Sequence, residues 1–151
     1  MEIGTIEREM HIEASPEVVY RVVSEPEHIR EWWPEEAEVT PVPGGAGLIT
    51  FVRPEGPKSE ALTVVEADPP RRFSFRWVYD GPTAAFDNSL LVTFDLEASG
   101  SGTLLRFSER GFRERGWEAA VLEEQLRDHA AGWDHFLPRL ASYANRWGVA
   151  S

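Results

Sequence analysis

The sequence of 151 residues carries 15 Lys and Arg against 26 Asp and Glu, which gives a formal net charge of −11. The length predicts one domain over residues 1–151, because a chain of this size buries roughly 70% of its unfolded surface in a single core. The acidic charge argues against nucleic acid and anionic membranes as partners. The absence of cysteine excludes disulfides, thiolate metal sites and a cysteine nucleophile.

The beginning of the chain has no basic segment followed by an apolar one, as a signal peptide would have. No apolar run reaches the roughly 18 residues that a membrane span needs. These two features predict a cytoplasmic protein that does not insert into membranes.

The first part of the chain predicts one strand and two short helices. Apolar and charged residues alternate from residue 3 to residue 14, which is typical of a half-buried strand. Ser15-Pro16 and Ser24-Glu25-Pro26 then have the pattern of helix starts, with proline at the first helical position. The second helix, from His28 to Trp33, is expected to end before Pro34.

The middle of the chain predicts about six strands separated by turns rich in Gly and Pro. Phe73, Phe75 and Trp77 alternate with polar residues, so they are expected to share one buried face. Short connections between consecutive strands imply an antiparallel sheet. The expected strands are residues 37–42, 48–53, 60–67, 72–79, 90–97 and 103–110.

The last part of the chain predicts a long amphipathic helix. Apolar residues from Leu122 to Trp147 fall on one arc at about 100° per residue. Pro138 lies inside this segment and is expected to kink it. Such a helix must cover one face of the sheet, and a curved sheet around a helix often leaves a cavity between them.

Several segments in this order resemble the helix-grip fold, an α+β fold, of the START-like or SRPBCC superfamily. The segments are HIEASPEVVYRVV, PEHIREWWP, VVEADPPRRFSFRW, GTLLRFSERGF and GWDHFLPRLASY. Within the superfamily the chain is similar to stand-alone members of the family named for homologues of the heat-shock-protein ATPase activator. The resemblance implies a curved antiparallel sheet of six to seven strands around the C-terminal helix. Leu62 departs from the pattern, because similar proteins tend to carry Gly there, and a larger side chain could narrow the cavity.

The resemblance also implies a range of activities, because related helix-grip proteins bind lipids, hormones or polyketide intermediates, and some catalyse cyclisation or hydrolysis. An aromatic lining is typical of small-molecule pockets, although the same side chains also fill cores. We expect the ligand-binding residues to be Trp33, Phe51, Phe75, Trp77, Phe94, Phe107, His129, Trp133, Phe136 and Leu137.

His129 is the polar member of this set, since it lies within the apolar arc of the long helix. It could anchor a ligand oxygen or act as an acid or base. The alternative is a core histidine whose ring is satisfied by a neighbouring carbonyl group. No catalytic residue can be assigned from the sequence.

The remaining histidines do not form a metal-binding pattern. His135 lies about 120° around the helix from His129, so the two cannot chelate one ion. His11 and His28 are expected on polar faces. There is no His-x-x-x-His motif and no Gly-rich phosphate loop before a helix. The sequence therefore predicts no metal and no cofactor.

Three functions remain open. The first is a domain that binds an apolar, lipid-like or aromatic small molecule between the sheet and the helix. The second is an enzyme of the cyclase or hydrolase type that uses the same cavity. The third is a protein-interaction module, including a chaperone partner or a homodimer.

Overall fold

The computed structural model describes residues 4–79 and 83–150, with side chains described through residue 148. It contains seven strands and three helices in these ranges. In chain order they are β1 (Thr5–Ile12), α1 (Pro16–Ser24), α2 (Pro26–Trp32), β2 (Glu36–Val39), β3 (Ala46–Phe51), β4 (Lys58–Asp68), β5 (Arg72–Trp77), β6 (Leu90–Ser99), β7 (Gly102–Arg110) and α3 (Ala119–Ala150).

The seven strands form one antiparallel sheet in the order β1-β7-β6-β5-β4-β3-β2. Strands β2 to β7 follow one another as neighbours, and β1 closes the other edge by pairing with β7 from Thr5↔Arg110 to Ile12↔Thr103. The α+β helix-grip fold predicted from the sequence is confirmed. The sheet and α3 together enclose the apolar core.

The first two helices begin where the sequence predicts. Ser15 precedes α1, and its side-chain oxygen accepts a hydrogen bond from the Val18 amide at 3.3 Å. Pro16 and Pro26 occupy the first turns, where a missing N–H costs nothing because those amides have no partner within the helix.

The turn between β2 and β3 is shifted relative to the prediction. Residues 46 and 47 belong to β3, although the sequence placed them in a turn, and β2 ends at Val39 rather than at residue 42. The reason is a tight loop in which the Gly45 amide donates to the Val42 carbonyl at 2.8 Å. A Cβ on Gly45 would lie 2.0 Å from the Thr40 carbonyl oxygen, so this loop requires glycine.

Leu62 is accommodated by a glycine on the neighbouring strand. It is buried on β4, where it pairs with Gly47 on β3 and with Trp77 on β5. A Cβ on Gly47 would lie 2.7 Å from Leu62 Cδ1. The leucine therefore occupies the volume above Gly47. The bulge in β4 lies further along, between Val64 and Glu66.

The long helix α3 spans 32 residues and continues through Pro138. Trp133, Leu137, Leu140 and Ala144 are buried along it, and the predicted polar face is exposed. The kink at Pro138 remains a prediction. Within the described residues, no helix is both long and apolar enough to cross a membrane.

The prediction that His28 lies on a polar face is wrong. His28 is buried, with its Nδ1 at 2.8 Å from the Tyr143 hydroxyl and its ring centroid 4.2 Å from that of Trp147. Both partners belong to α3, which covers this side of α2. Because α2 has only about two turns, its apolar periodicity does not show that His28 is also covered by another element.

Candidate functional site

A cavity of about 310 Å³ lies between α3 and the strands β3, β4 and β5. Its walls combine five large aromatic side chains with six polar or charged ones. The lining residues are Trp33, Phe51, Arg53, Lys58, Glu60, Trp77, Val78, Gln125, Asp128, His129, Gly132, Trp133 and Phe136.

Trp33 organises the aromatic wall. It follows the last residue of α2, and its ring centroid lies 5.1 Å from that of Trp77 on β5 and 5.1 Å from that of Trp133 on α3. Phe51 at the end of β3 packs 6.0 Å from Trp33 and 6.2 Å from Phe136. These contacts are at the separations that favour edge-on and tilted aromatic pairs, so the wall is a packed set of rings.

Six of the ten predicted ligand-binding residues lie on the cavity wall: Trp33, Phe51, Trp77, His129, Trp133 and Phe136. The other four, Phe75, Phe94, Phe107 and Leu137, are at most 2% exposed and lie outside the lining set. Phe107 packs 4.6 Å behind Trp133, and Phe94 packs 5.5 Å from Phe107. Phe94 and Phe107 therefore pack behind the wall, on the side away from the cavity.

Glu109 is the functional candidate that the sequence analysis missed. It lies on β7, its side chain is fully buried, and its two oxygens are held by indole groups. Trp77 Nε1 donates to Oε2 at 2.7 Å, and Trp133 Nε1 donates to Oε1 at 2.9 Å. A buried carboxylate is costly unless its oxygens are hydrogen-bonded, and here both are.

His129 connects this buried carboxylate to the cavity. Its Nδ1 lies 3.0 Å from Glu109 Oε1, and its side chain is 16% exposed. An ionised carboxylate only accepts hydrogen bonds, so Nδ1 is the donor, and in the neutral ring Nε2 is then an acceptor. The sequence left open a core histidine bonded to a carbonyl group. In the structure the partner of His129 is the carboxylate of Glu109.

The strand pattern contained a signal for Glu109. Thr103, Leu105, Phe107 and Glu109 are all buried, because they share one face of β7 at the two-residue period of a strand. Extending the alternation of Leu105 and Phe107 by one step would have placed Glu109 inward. Its pairing with His129 depends on how α3 packs and has no local signal.

Val78 closes the cavity beside Trp77 with an unusual backbone. Its φ is +55°, a region that β-branched residues rarely adopt. Its carbonyl oxygen accepts a hydrogen bond from the Arg115 guanidinium, which holds the conformation. Backbone outliers of this kind concentrate at binding sites and active sites.

Among the described residues, one group has the composition of a metal site. Glu25, Glu27 and His28 each place a potential ligand atom within 4.8 Å of the others. Two of the three residues already have partners, because Arg21 donates to Glu25 at 2.9 Å and His28 Nδ1 lies 2.8 Å from the Tyr143 hydroxyl. The hydrogen bond from Arg21 lowers the pKa of Glu25, so that carboxylate is committed to an ion pair.

The fold and the cavity define the class of protein. A seven-stranded antiparallel sheet with two short helices after its first strand and a long C-terminal helix is the helix-grip fold of the START-like superfamily. The chain belongs to the family of Activator of Hsp90 ATPase homolog 1-like proteins, AHSA1, whose sequence profile matches residues 13–145. The family resemblance drawn from the sequence is confirmed.

Solved structures with the same fold cover nearly the whole chain. Protein MLL2253 from Mesorhizobium loti is 25% identical, with 94% of this chain and 97% of that chain covered and a TM-score of 0.76. The Aha1 dimer from Colwellia psychrerythraea is 20% identical, with 93% and 96% covered and a TM-score of 0.72. CalU16 from Micromonospora echinospora is 21% identical, with 93% and 75% covered and a TM-score of 0.67. Comparison with curated proteins finds no match.

Proposed function

We propose that the protein binds an apolar small molecule, aromatic or lipid-like, in the cavity between α3 and the sheet. The observation that carries the proposal is an unfilled volume of about 310 Å³ with five aromatic side chains in its wall. Small-molecule sites are concave and mostly apolar, with a few placed polar groups, and run from about 300 to 1,000 Å³. The volume fits one or two rings or a short acyl chain.

Gly132 supports this proposal independently of the aromatic wall. It lies inside α3 and lines the cavity, and a Cβ built there meets no atom within 4 Å. Glycine inside a helix costs roughly 0.5–1 kcal/mol relative to alanine. The missing side chain leaves open the volume that a ligand would use.

The test uses a variant that fills the cavity without disturbing the helix. Thermal shift and native mass spectrometry with a panel of aromatic and acyl compounds should identify ligands of the wild type. Gly132→Leu should abolish the ligand-dependent rise in Tm, since only binding to the folded state stabilises it. Ala131→Leu is the matched control, because Ala131 is exposed on the same helix. Equal responses of the two variants would contradict the proposal.

A second candidate function is acid–base catalysis of the cyclase or hydrolase type in the same cavity. The specific observation in its favour is that His129 lines the cavity with Glu109 at 3.0 Å from its Nδ1. A base oriented by a carboxylate is the arrangement that activates water or a hydroxyl nucleophile. Hydrolysis of 4-nitrophenyl acetate should fall about 100-fold in His129→Ala relative to His135→Ala. Equal rates in the two variants would remove this candidate.

The cellular location and the oligomeric state are further proposals. We propose a cytoplasmic protein, on the strength of the acidic composition. We also propose that the protein forms a homodimer. The support for this is the similar protein from Colwellia psychrerythraea, whose solution structure is a dimer. Size-exclusion chromatography with light scattering distinguishes a monomer of 17.1 kDa from a dimer.

A further inference from the structure

We infer that the cavity selects an apolar ring carrying one weakly acidic hydroxyl group, such as a phenol or an enol, which donates its hydrogen to Nε2 of His129. This inference rests on the proposed ligand-binding function and specifies the chemistry of the ligand. It depends on which atoms donate and which accept hydrogen bonds between Glu109, the two ring nitrogens of His129 and the cavity.

The orientation of the imidazole is fixed from behind. Three N–H groups point at Glu109, from Trp77 at 2.7 Å, from Trp133 at 2.9 Å and from His129 at 3.0 Å. A carboxylate that accepts all three bonds holds the histidine proton on Nδ1. The acceptor lone pair of Nε2 is then free, since no hydrogen bond to Nε2 is present among the described residues.

The ring of His129 is also fixed from the sides. Its centroid lies 5.7 Å from that of Trp77 and 5.3 Å from that of Phe112, in both cases nearly edge to face. A histidine held between two rings and bonded to a buried carboxylate presents its second nitrogen in one direction. Beside the charged and amide side chains of the wall, His129 therefore offers a positioned acceptor next to aromatic rings, and the complement of that acceptor is a hydroxyl on an apolar body.

The charge distribution disfavours an anionic ligand. Glu109 is fully buried directly behind His129, whereas on the cavity lining the carboxylates of Glu60 and Asp128 are matched by the cations Arg53 and Lys58. A ligand carboxylate at His129 would meet the acceptor Nε2, with the carboxylate of Glu109 behind it. A neutral hydroxyl donates to Nε2 and avoids both penalties.

A cationic ligand is disfavoured for a different reason. Aromatic walls attract cations, but the oxygens of Glu109 are already occupied by three donors and lie behind the imidazole. Arg53 and Lys58 offset Glu60 and Asp128 on the cavity lining, so the charges of the lining add no net attraction for a cation. The aromatic cage alone would have to compensate for the lost hydration of the cation.

The same geometry permits proton transfer from a sufficiently acidic hydroxyl. The O–H bond of the ligand breaks, an N–H bond forms at Nε2, and the electron pair stays on the ligand oxygen. The resulting imidazolium lies between the ligand oxyanion and Glu109, so each negative charge faces a donor. No further reactant is required.

Three probes of similar size test the inference. 4-Nitrophenol carries the hydroxyl, 4-nitroanisole replaces its hydrogen by a methyl group, and phenyltrimethylammonium carries a fixed cation. Binding is followed by quenching of tryptophan fluorescence, and ionisation of 4-nitrophenol by the absorbance of nitrophenolate. We expect 4-nitrophenol to bind about 10-fold more tightly than 4-nitroanisole, the ratio that one net hydrogen bond provides.

The variant His129→Phe should remove this preference, because a phenyl ring can pack between Trp77 and Phe112 but cannot accept the hydrogen. His135→Phe is the matched control on the exposed side of α3 and should keep the preference. If His129→Phe does not fold, NMR of the wild-type imidazole tests the same inference. Long-range ¹H–¹⁵N NMR of the imidazole should show the proton on Nδ1 and a shift of Nε2 when 4-nitrophenol binds.

The outcomes separate the two proposals. Equal affinity for 4-nitrophenol and 4-nitroanisole, or tighter binding of phenyltrimethylammonium, would overturn the inference while leaving ligand binding in place. A proton on Nε2 of the free protein would overturn it as well. Absence of binding by every probe and every panel compound would overturn the proposed function itself.

Discussion

Trp133 Nε1 on α3 and Glu109 Oε1 on β7 lie 2.9 Å apart, so a buried hydrogen bond joins the long helix to the sheet. The same carboxylate oxygen is 3.0 Å from His129 Nδ1, one helical turn earlier on α3. The group that orients the cavity histidine therefore also anchors the helix. Binding chemistry and the docking of α3 are coupled through one side chain.

Glu109→Gln should lower the free energy of unfolding by about 1–3 kcal/mol, the cost of a buried polar group without a suitable partner. The amide can accept at one oxygen, but its NH₂ group then faces an N–H donor of Trp77 or of Trp133 and His129. Urea unfolding measures the change. Glu97→Gln is the control, because Glu97 is exposed on β6. An unchanged unfolding midpoint for Glu109→Gln would show that the carboxylate is not required for this packing.

Gly132→Ala should raise the free energy of unfolding by about 0.5–1 kcal/mol, because alanine is the better helix former and its Cβ enters open space. Ala131→Gly at the neighbouring exposed position should lower stability by a similar amount and calibrates the propensity effect in this helix. Thermal or urea unfolding of both variants checks the prediction. A destabilised Gly132→Ala would mean that the space beside Gly132 is filled in the folded protein.

Gly47→Ala should destabilise the protein by about 1–3 kcal/mol through overpacking against Leu62. The new Cβ would lie 2.7 Å from Leu62 Cδ1 and 3.0 Å from the Glu38 carbonyl oxygen. Combination with Leu62→Ala should cost less than the sum of the two single changes, because the smaller side chain relieves the clash. A double-mutant cycle measures the coupling. Strict additivity would contradict the contact.

The ion pair between α3 and β1 should give a pH-dependent contribution to stability. Arg8 donates to Asp134 at 2.7 and 3.2 Å, and this hydrogen bond lowers the pKa of Asp134. Because the folded-state pKa is depressed, the contribution is present above the unfolded value of about 3.9 and is lost as pH falls through the folded value.

We therefore expect Asp134→Asn to cost about 0–1 kcal/mol near neutral pH, a small value because both side chains are partly exposed. The difference from the wild type should vanish below the folded-state pKa of Asp134. Urea midpoints of the two proteins across the acidic range measure it. A difference between the two urea midpoints that increases as the pH falls would contradict the prediction.

Much of the fold follows from local sequence patterns. The alternation of Phe73, Phe75 and Trp77 predicts a buried strand face, and all three side chains are buried. The proline-started helices and the apolar arc of α3 follow equally from spacing along the chain. These features depend on neighbours within one element, which is why the sequence reveals them.

The site is less accessible to such arguments. Phe107 and Trp133 are both predicted on apolar faces, yet Phe107 lies behind the cavity wall and Trp133 lines it. Which of two apolar side chains lines a cavity depends on how the elements pack together, and the pattern within one element does not show this. The contact between Glu109 and His129 joins two elements whose relative placement no periodicity encodes. The alternation along β7 does, however, place Glu109 on the buried face of the strand, so a buried carboxylate could be predicted from the sequence.

The most direct test of ligand binding in the cavity uses the indole N–H signals of the six tryptophans. Trp33, Trp77 and Trp133 line the cavity, whereas Trp117 and Trp147 lie outside it. Titration with 4-nitrophenol or another panel ligand, followed by ¹H–¹⁵N NMR, should shift the signals of the three lining indoles and leave those of Trp117 and Trp147 in place. Shifts confined to Trp117 or Trp147, or saturable binding that leaves the three lining indoles unmoved, would contradict a ligand site between α3 and the sheet.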